Sequence, residues 1–167
     1  MTFELSRINL KEFRRILPYM PDIEGWIGAE AHYIDSGPYM MVSSDLRVDE
    51  FKYEGSALGN WEFSGVYLPG EEKDHHLDAY IRCDGKEIAH LGGIYLPAAE
   101  GTGSLSADMA FEHFPLNVVN PFVPDRMVEL NGDIDGTLSM KGDPAKPLLN
   151  GELALDSVTF FMPEMSA

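Results

Sequence analysis

Alternation of apolar and polar residues, which dominates from residue 24 onward, constrains the fold more than any other feature of this sequence. Apolar side chains recur at every second position over residues 105–111 and, with one glycine among them, over 134–140. Residues 39–48 and 60–68 alternate less regularly but are rich in aromatic and β-branched residues. A period of two is the repeat of a β-strand. Many short segments of this kind, separated by Gly, Pro, Asp and Asn, predict an all-β chain.

Turn signals indicate how these strands pair. Asp84-Gly85 lies between two strand-like segments and matches a type I′ turn, which favours an antiparallel hairpin. A glycine inside a strand usually marks a bulge, a bend or a close approach of two backbones. The strand-like segments contain six such glycines: Gly28, Gly65, Gly92, Gly93, Gly136 and Gly151. We therefore expect a strongly curved, mainly antiparallel sheet.

One short helix is predicted near residues 10–17. Asn9 is a suitable N-cap, and Glu12 stands three residues later, as in a capping box. Pro18 should end the helix because proline disfavours helical geometry in the residue before it.

Charge and length exclude some classes of function. The 167 residues suffice for one domain, and 12 Lys and Arg face 28 Asp and Glu, for a net charge of −16. The negative electrostatic field of such a chain repels phosphate groups, so nucleic acid and anionic membrane surfaces are not expected partners. No apolar run approaches the ~20 residues that cross a bilayer, and the N-terminus lacks a signal-peptide core. If the protein is exported, we expect its signal or anchor upstream of Met1.

Cys83 is the single cysteine, which rules out an internal disulfide and a cysteine-based zinc site. It shares the strand parity of Leu77, Ala79 and Ile81. That position favours a small buried residue over a reactive thiol.

Two parts of the chain have similar sequence patterns, a similarity that we call the internal echo. Residues 46–53 and 153–160 have the same pattern, and the same offset of 107 positions relates Gly25 to Gly132. We interpret this as two quasi-repeats within one continuous unit, a first over residues 1–113 and the start of a second over 114–167.

Five phrases in the second half resemble a repeat of the TamB proteins of Gram-negative bacteria, relatives of the AsmA-like group. They are Phe-Pro-Leu-Asn at 114–117, Asn-Pro-Phe-Val-Pro at 120–124, the Gly-flanked strand 130–138, Lys-Gly-Asp-Pro at 141–144, and the strand 147–155. The resemblance implies a fragment of a long periplasmic protein anchored in the inner membrane. It also implies a folded-over, taco-like β groove with an apolar interior. The roles implied are phospholipid transport to the outer membrane, and outer-membrane assembly and protein secretion with a barrel partner of the BamA or TamA type.

A groove of this kind needs no cofactor and no catalytic residue. Apolar side chains of one parity would screen acyl chains from water, at about 25 cal/mol per Å² buried and about 0.8 kcal/mol per CH₂. The candidate groove-lining residues are apolar residues of these strand-like segments: Leu105, Met109, Phe111, Ile134, Leu138, Met140, Leu153, Leu155, Val158 and Phe160. Phospholipid is the expected ligand, and open edge strands are expected to favour self-association.

The same parity pattern fills the core of any β-sandwich, so the main alternative is a carbohydrate-binding or adhesive β-sandwich module. Its binding platform would be built from Trp26, Trp61, Tyr67 and Tyr80. A hydrolase with acids on loops is a third class, although no nucleophile elbow, phosphate-binding loop or zinc-protease motif occurs.

His75-His76, preceded by the charged stretch 71–74, is the one cluster that suggests a metal. Neighbouring residues of a strand point to opposite faces, so the two imidazoles would chelate together only from a loop. We interpret the cluster as a polar loop tip and predict no metal site.

Overall fold

The computed structural model describes residues 1–15, 21–36, 40–70, 74–98, 103–122 and 129–161. In this part of the chain there are nine β-strands and two 3-10 segments, η1 and η2. In chain order they are β1 (Thr2–Asn9), η1 (Leu10–Arg15), β2 (Ile23–Asp35), β3 (Met40–Tyr53), β4 (Ser56–Pro69), β5 (His75–Cys83), β6 (Lys86–Leu96), β7 (Ser104–Pro115), η2 (Leu116–Phe122), β8 (Glu129–Gly142) and β9 (Leu148–Phe161).

The nine strands form one antiparallel meander, in which every strand pairs with its neighbours in sequence. This confirms the all-β, antiparallel prediction. The predicted turn at Asp84-Gly85 joins β5 to β6 with φ angles of 48° and 79°, as a type I′ turn requires. Glu54-Gly55 joins β3 to β4 in the same way, with φ angles of 47° and 79°. Sequence reasoning had not singled out this second turn.

The predicted helix near residues 10–17 is instead the 3-10 segment η1, and residues 16–20 lie outside the described part. The Asn9 side chain explains the tighter geometry. Its Oδ1 accepts a hydrogen bond from the Lys11 backbone N–H at 3.0 Å, two residues on, as in an Asx turn. A turn of this kind competes with the α-helical cap that the capping-box pattern suggests.

The sheet is neither closed nor strongly curled, so the strong curvature expected from the glycines is not observed in these nine strands. Close backbone approach does occur at three of the six glycines. A Cβ on Gly136 or Gly151 would collide with a carbonyl oxygen of the neighbouring strand, and one on Gly93 would lie 2.9 Å from the Ala107 Cβ. The other three glycines have room for a Cβ: Gly28, Gly65 and Gly92.

Strand irregularities repeat with the offset of the internal echo. The β2–β3 ladder shifts register at Gly25 (φ 133°) and the β8–β9 ladder at Gly132 (φ 108°). Across the ladder, Glu50 and Ser157 both adopt positive φ, at 53° and 51°. Each of these two pairs is separated by 107 residues. The segment β7-η2-β8-β9 therefore repeats the order and the local geometry of β1-η1-β2-β3.

Most of the buried side chains lie at one end of the sheet, where β4 and β6 begin and η1 and η2 lie. Among the residues whose burial is described, those with less than a tenth of their surface exposed are all apolar: Leu10, Leu58, Ile88, Ala89, Ala107, Leu116 and Val118. The chain exposes 11804 Å², whereas a folded monomer of 18.6 kDa is expected to expose roughly 8,200 Å². A single sheet, with no second sheet packed against it in the described residues, contributes to this excess.

Candidate functional site

Strand register places apolar side chains of all nine strands on one side of the sheet. Residues directly opposite each other in an antiparallel ladder share a face, so the side can be followed from Phe3 opposite Ala31 to Ile134 opposite Leu155. We call this side the apolar face. Its apolar members at paired positions include Phe3, Leu5, Ile27, Ala29, Ala31, Tyr33, Val42, Leu46, Val48, Trp61, Phe63, Tyr67, Leu77, Ala79, Ile81, Ala89, Leu91, Tyr95, Leu105, Ala107, Met109, Phe111, Ile134, Leu138, Met140, Leu149, Leu153 and Leu155.

Eight of the ten predicted groove residues lie on this face, on three neighbouring strands. Leu105, Met109 and Phe111 come from β7. Their neighbours on the face come from β8 and β9: Ile134, Leu138, Met140, Leu153 and Leu155. The remaining two, Val158 and Phe160, follow the register shift of β9. Val158 is half-buried, and the side chain of Phe160 lies outside the described part.

Much of the apolar face is open to solvent. Leu153 is 47% exposed and Leu155 59% exposed, while Phe63 and Leu77 expose more than a third of their surface. No described side chain of large volume is completely buried. In a β-sandwich these positions would be covered by the opposing sheet. The described residues contain only one sheet.

An apolar pocket closes the face at the end where η2 lies. A cavity of about 280 Å³ lies there. It is lined by Val118 of η2 and by five residues of β3 and β4: Val48, Phe51, Leu58, Trp61 and Phe63. Trp61 contributes no polar group to it, because its indole N–H donates to the Leu58 carbonyl at 2.8 Å. The pocket thus offers almost entirely apolar surface to an occupant.

The opposite side carries most of the charge, and we call it the polar face. Arg47 and Glu62 form an ion pair there at 3.1 Å, and the Asp78 Oδ1 lies 3.3 Å from the His90 Nε2. Exposed apolar residues such as Ile34 interrupt the polar face near the strand ends remote from η2. The two sides of the sheet nevertheless differ sharply in polarity.

The four aromatic residues considered for a sugar platform are divided between the two sides. Trp61 and Tyr67 lie on the apolar face, whereas Tyr80 is opposite Ser64 on the polar face. Trp26 has the parity of the polar face, where the Arg7 guanidinium lies 5.0 Å from its ring centroid. They do not form one platform because strand parity separates them.

His75 and His76 lie within β5, so their interpretation as a loop tip is wrong; residues 71–73 are outside the described part. His75 contacts the Tyr67 hydroxyl on the apolar face, while the His76 Nε2 lies 2.9 Å from the Asp74 Oδ2. The strand continues to this point because both histidines retain ladder partners, Tyr95 and Ile94. Among the described residues, no three His, Cys, Asp or Glu side chains are grouped to hold a metal ion.

Cys83 lies half-buried at the end of β5, opposite Trp61. Burial, together with the neighbouring Asp84 carboxylate, raises the pKa of its thiol. Its Sγ lies 3.8 Å from the Leu58 carbonyl oxygen. A raised pKa reduces the thiolate fraction and hence the reactivity of the sulfur.

A histidine and a carboxylate meet at the β7 bulge. His113, with φ 47°, donates its backbone N–H to the Asp135 Oδ1 at 2.9 Å, and its Nδ1 lies 3.0 Å from the Oδ2. The side-chain hydrogen bond and the charge of Asp135 raise the pKa of His113. The same contacts, led by the backbone N–H of His113, lower the pKa of Asp135.

This pair predicts a pH dependence. Because the pKa of His113 is raised in the folded state, the interaction of protonated His113 with Asp135 stabilises the fold. Its contribution is complete below about pH 6.5, the usual histidine pKa. It is lost as pH rises through the pKa of the folded state. In Asp135→Asn, the His113 pKa measured by NMR titration should fall toward its usual value. Asp133→Asn, which removes a more distant charge, should lower it less. An unchanged His113 pKa in Asp135→Asn would contradict the pairing.

Comparison with protein-family models, curated proteins and solved structures finds no match to this chain. In the described part, no helix is long and apolar enough to span a bilayer.

Proposed function

We propose that this chain is a segment of a periplasmic bridge protein of the TamB type, anchored to the inner membrane through its longer parent. In this proposal the apolar face holds the acyl chains of phospholipids during transport between the inner and outer membranes. A barrel protein of the BamA or TamA type is the proposed outer-membrane partner of the parent. The chain carries no catalytic role in this proposal.

The observation that carries the proposal is the apolar face itself. It runs across nine strands without a covering sheet in the described residues, and exposed apolar surface of such extent marks an interaction site. Few polar groups lie on it; among them are Ser44 and His75, opposite Gly65 and Tyr95. A surface of this kind suits acyl chains, because their binding needs burial and no directional hydrogen bond.

The folded-over, taco-like groove belongs to the same proposal. Nine open strands form one wall, and further strands of the parent would bring a second wall opposite it. The pocket beneath Val118 would then receive the end of an acyl chain. Its cavity of about 280 Å³ is lined almost entirely by apolar surface, which suits an acyl chain.

Photocrosslinking from two adjacent residues tests the proposal. A photoreactive amino acid at Leu138, on the apolar face, should crosslink to phospholipid when the protein is produced in Gram-negative cells. The matched control is the same amino acid at Ser139, which points to the polar face opposite Asp108. We expect lipid adducts in the first variant only. Equal lipid labelling at both positions, or none at either, would contradict a lipid-binding role for this face.

A further inference from the structure

In the part of the chain that the structure describes, no strand pairs with the outer edge of β9, which we call its free edge. This edge has the same local geometry as an edge that is paired elsewhere in the same sheet. β9 is the last strand of the meander, whereas β3, its counterpart at an offset of 107 residues, pairs with β2 on one side and β4 on the other. Both strands carry a positive-φ residue at the bulge, Glu50 in β3 and Ser157 in β9. The backbone that receives β4 is therefore present a second time at the edge of the sheet.

The apolar side chains of β9 are more exposed than their counterparts in β3. The apolar side chains Leu149, Leu153 and Leu155 of β9 are 65%, 47% and 59% exposed. Their counterparts in β3 are all half-buried: Val42, Leu46 and Val48. Those counterparts lie beside Tyr67, Phe63 and Trp61 of β4. The difference in exposure matches a missing strand with the side-chain pattern of β4.

We propose that the free edge of β9 is a docking site for one kind of partner, an extended antiparallel segment with the alternating pattern of β4. The register of the β3–β4 ladder fixes the alignment. A side chain equivalent to Trp61 lies opposite Leu155, and one equivalent to Phe63 lies opposite Leu153. Pairing extends the apolar face by one strand. This docking does not depend on whether the face binds lipid.

Polar groups add specificity at the bulge and on the polar face. The Glu50 backbone N–H donates to the Asn60 Oδ1 of β4 at 2.9 Å, so an asparagine of the partner suits the equivalent N–H of Ser157. Glu152, opposite Thr137, and Asp156, opposite Asp133, lie on the polar face of β9. Both favour Lys or Arg in the partner strand.

A synthetic peptide tests the site on the intact chain. The peptide carries residues 56–69, lysines at both ends for solubility and a fluorophore, and its binding is followed by anisotropy. We expect saturable binding and about a tenfold loss for a scrambled peptide that breaks the period of two. Replacing Asn60→Leu in the peptide should weaken binding about fivefold, the equivalent of one hydrogen bond.

Disulfide trapping then reads the register. In a Cys83→Ser, Leu153→Cys chain, whose unfolding transition is checked first, a Phe63→Cys peptide should crosslink faster than a Val66→Cys peptide of the opposite parity. No saturable binding would overturn the proposal, as would equal affinity for the scrambled peptide. Crosslinking to Phe3→Cys on β1 in preference to Leu153→Cys would also overturn it. A dimer of the chain that forms through β9 and that excess peptide does not dissociate would overturn the proposal as well.

Discussion

Replacing Gly136 with alanine is expected to lower the free energy of unfolding by about 2–4 kcal/mol, through backbone strain and overpacking. Gly136 has φ 142°, a conformation that L-residues rarely adopt. A Cβ there would also collide with the Glu152 carbonyl oxygen and lie 3.0 Å from the Leu153 Cα. Neither partner can move away easily because both belong to the backbone of β9. Urea unfolding followed by circular dichroism measures the loss.

Gly92→Ala is the matched control for this substitution. Gly92 also lies inside a strand, but no atom stands within 4 Å of its hypothetical Cβ. Its replacement should change stability by less than about 1 kcal/mol, and reduced freedom of the unfolded chain favours a small gain. A loss at Gly92 as large as that at Gly136 would show that the β8–β9 approach is not the cause.

Replacing Leu138 with arginine is expected to reduce phospholipid retained by the purified chain by roughly a hundredfold, since a charge in an acyl environment costs about 3 kcal/mol. Leu138 lies between Met109 and Gly151 on the apolar face. Native mass spectrometry of chain purified without detergent measures the retained lipid. If the chain is a segment of the TamB-type parent proposed above, the same change in that parent should impair outer-membrane integrity at normal protein abundance.

Thr137→Arg provides the control because it adds the same charge one residue away, on the polar face. Thr137 is exposed and lies opposite Glu152, which accommodates a cation. Lipid retention should match that of the unmodified chain. If both variants lose lipid equally, lipid retention does not depend on the apolar face and the proposal fails. If Leu138→Arg unfolds the chain, Leu138 belongs to a packed core and not to a lipid surface.

Local patterns in the sequence predicted much of the sheet, since strands and tight turns depend on neighbouring residues. Residues 105–111 alternate cleanly and lie in β7, and Asp84-Gly85 forms the predicted turn. Bulge geometry was harder to predict. The positive φ of Glu50 and Ser157 depends on the strand opposite each bulge, so neither residue type signals it. The Asx turn at Asn9 likewise replaced the predicted helix, because a capping residue also suits a 3-10 turn.

The candidate site was predicted only in part, for a related reason. Parity placed residues such as Met109 and Leu138 on a common side, and the ladder brings them opposite each other. Parity alone does not determine whether a second layer covers that side. The pocket beneath Val118 was not predicted, because η2 reaches residues far away in sequence, such as Val48 and Trp61. No pattern within either segment signals that contact.

The meander order has a consequence for how cooperatively the molecule unfolds. Each strand is bonded only to the strands before and after it in sequence, so its stability approximates a sum of nearest-neighbour terms, as in a linear repeat array. Amide hydrogens of β1 and β9 would then exchange with solvent well before those of β4 to β6. Under a pulling force the sheet would come apart strand by strand from its two ends.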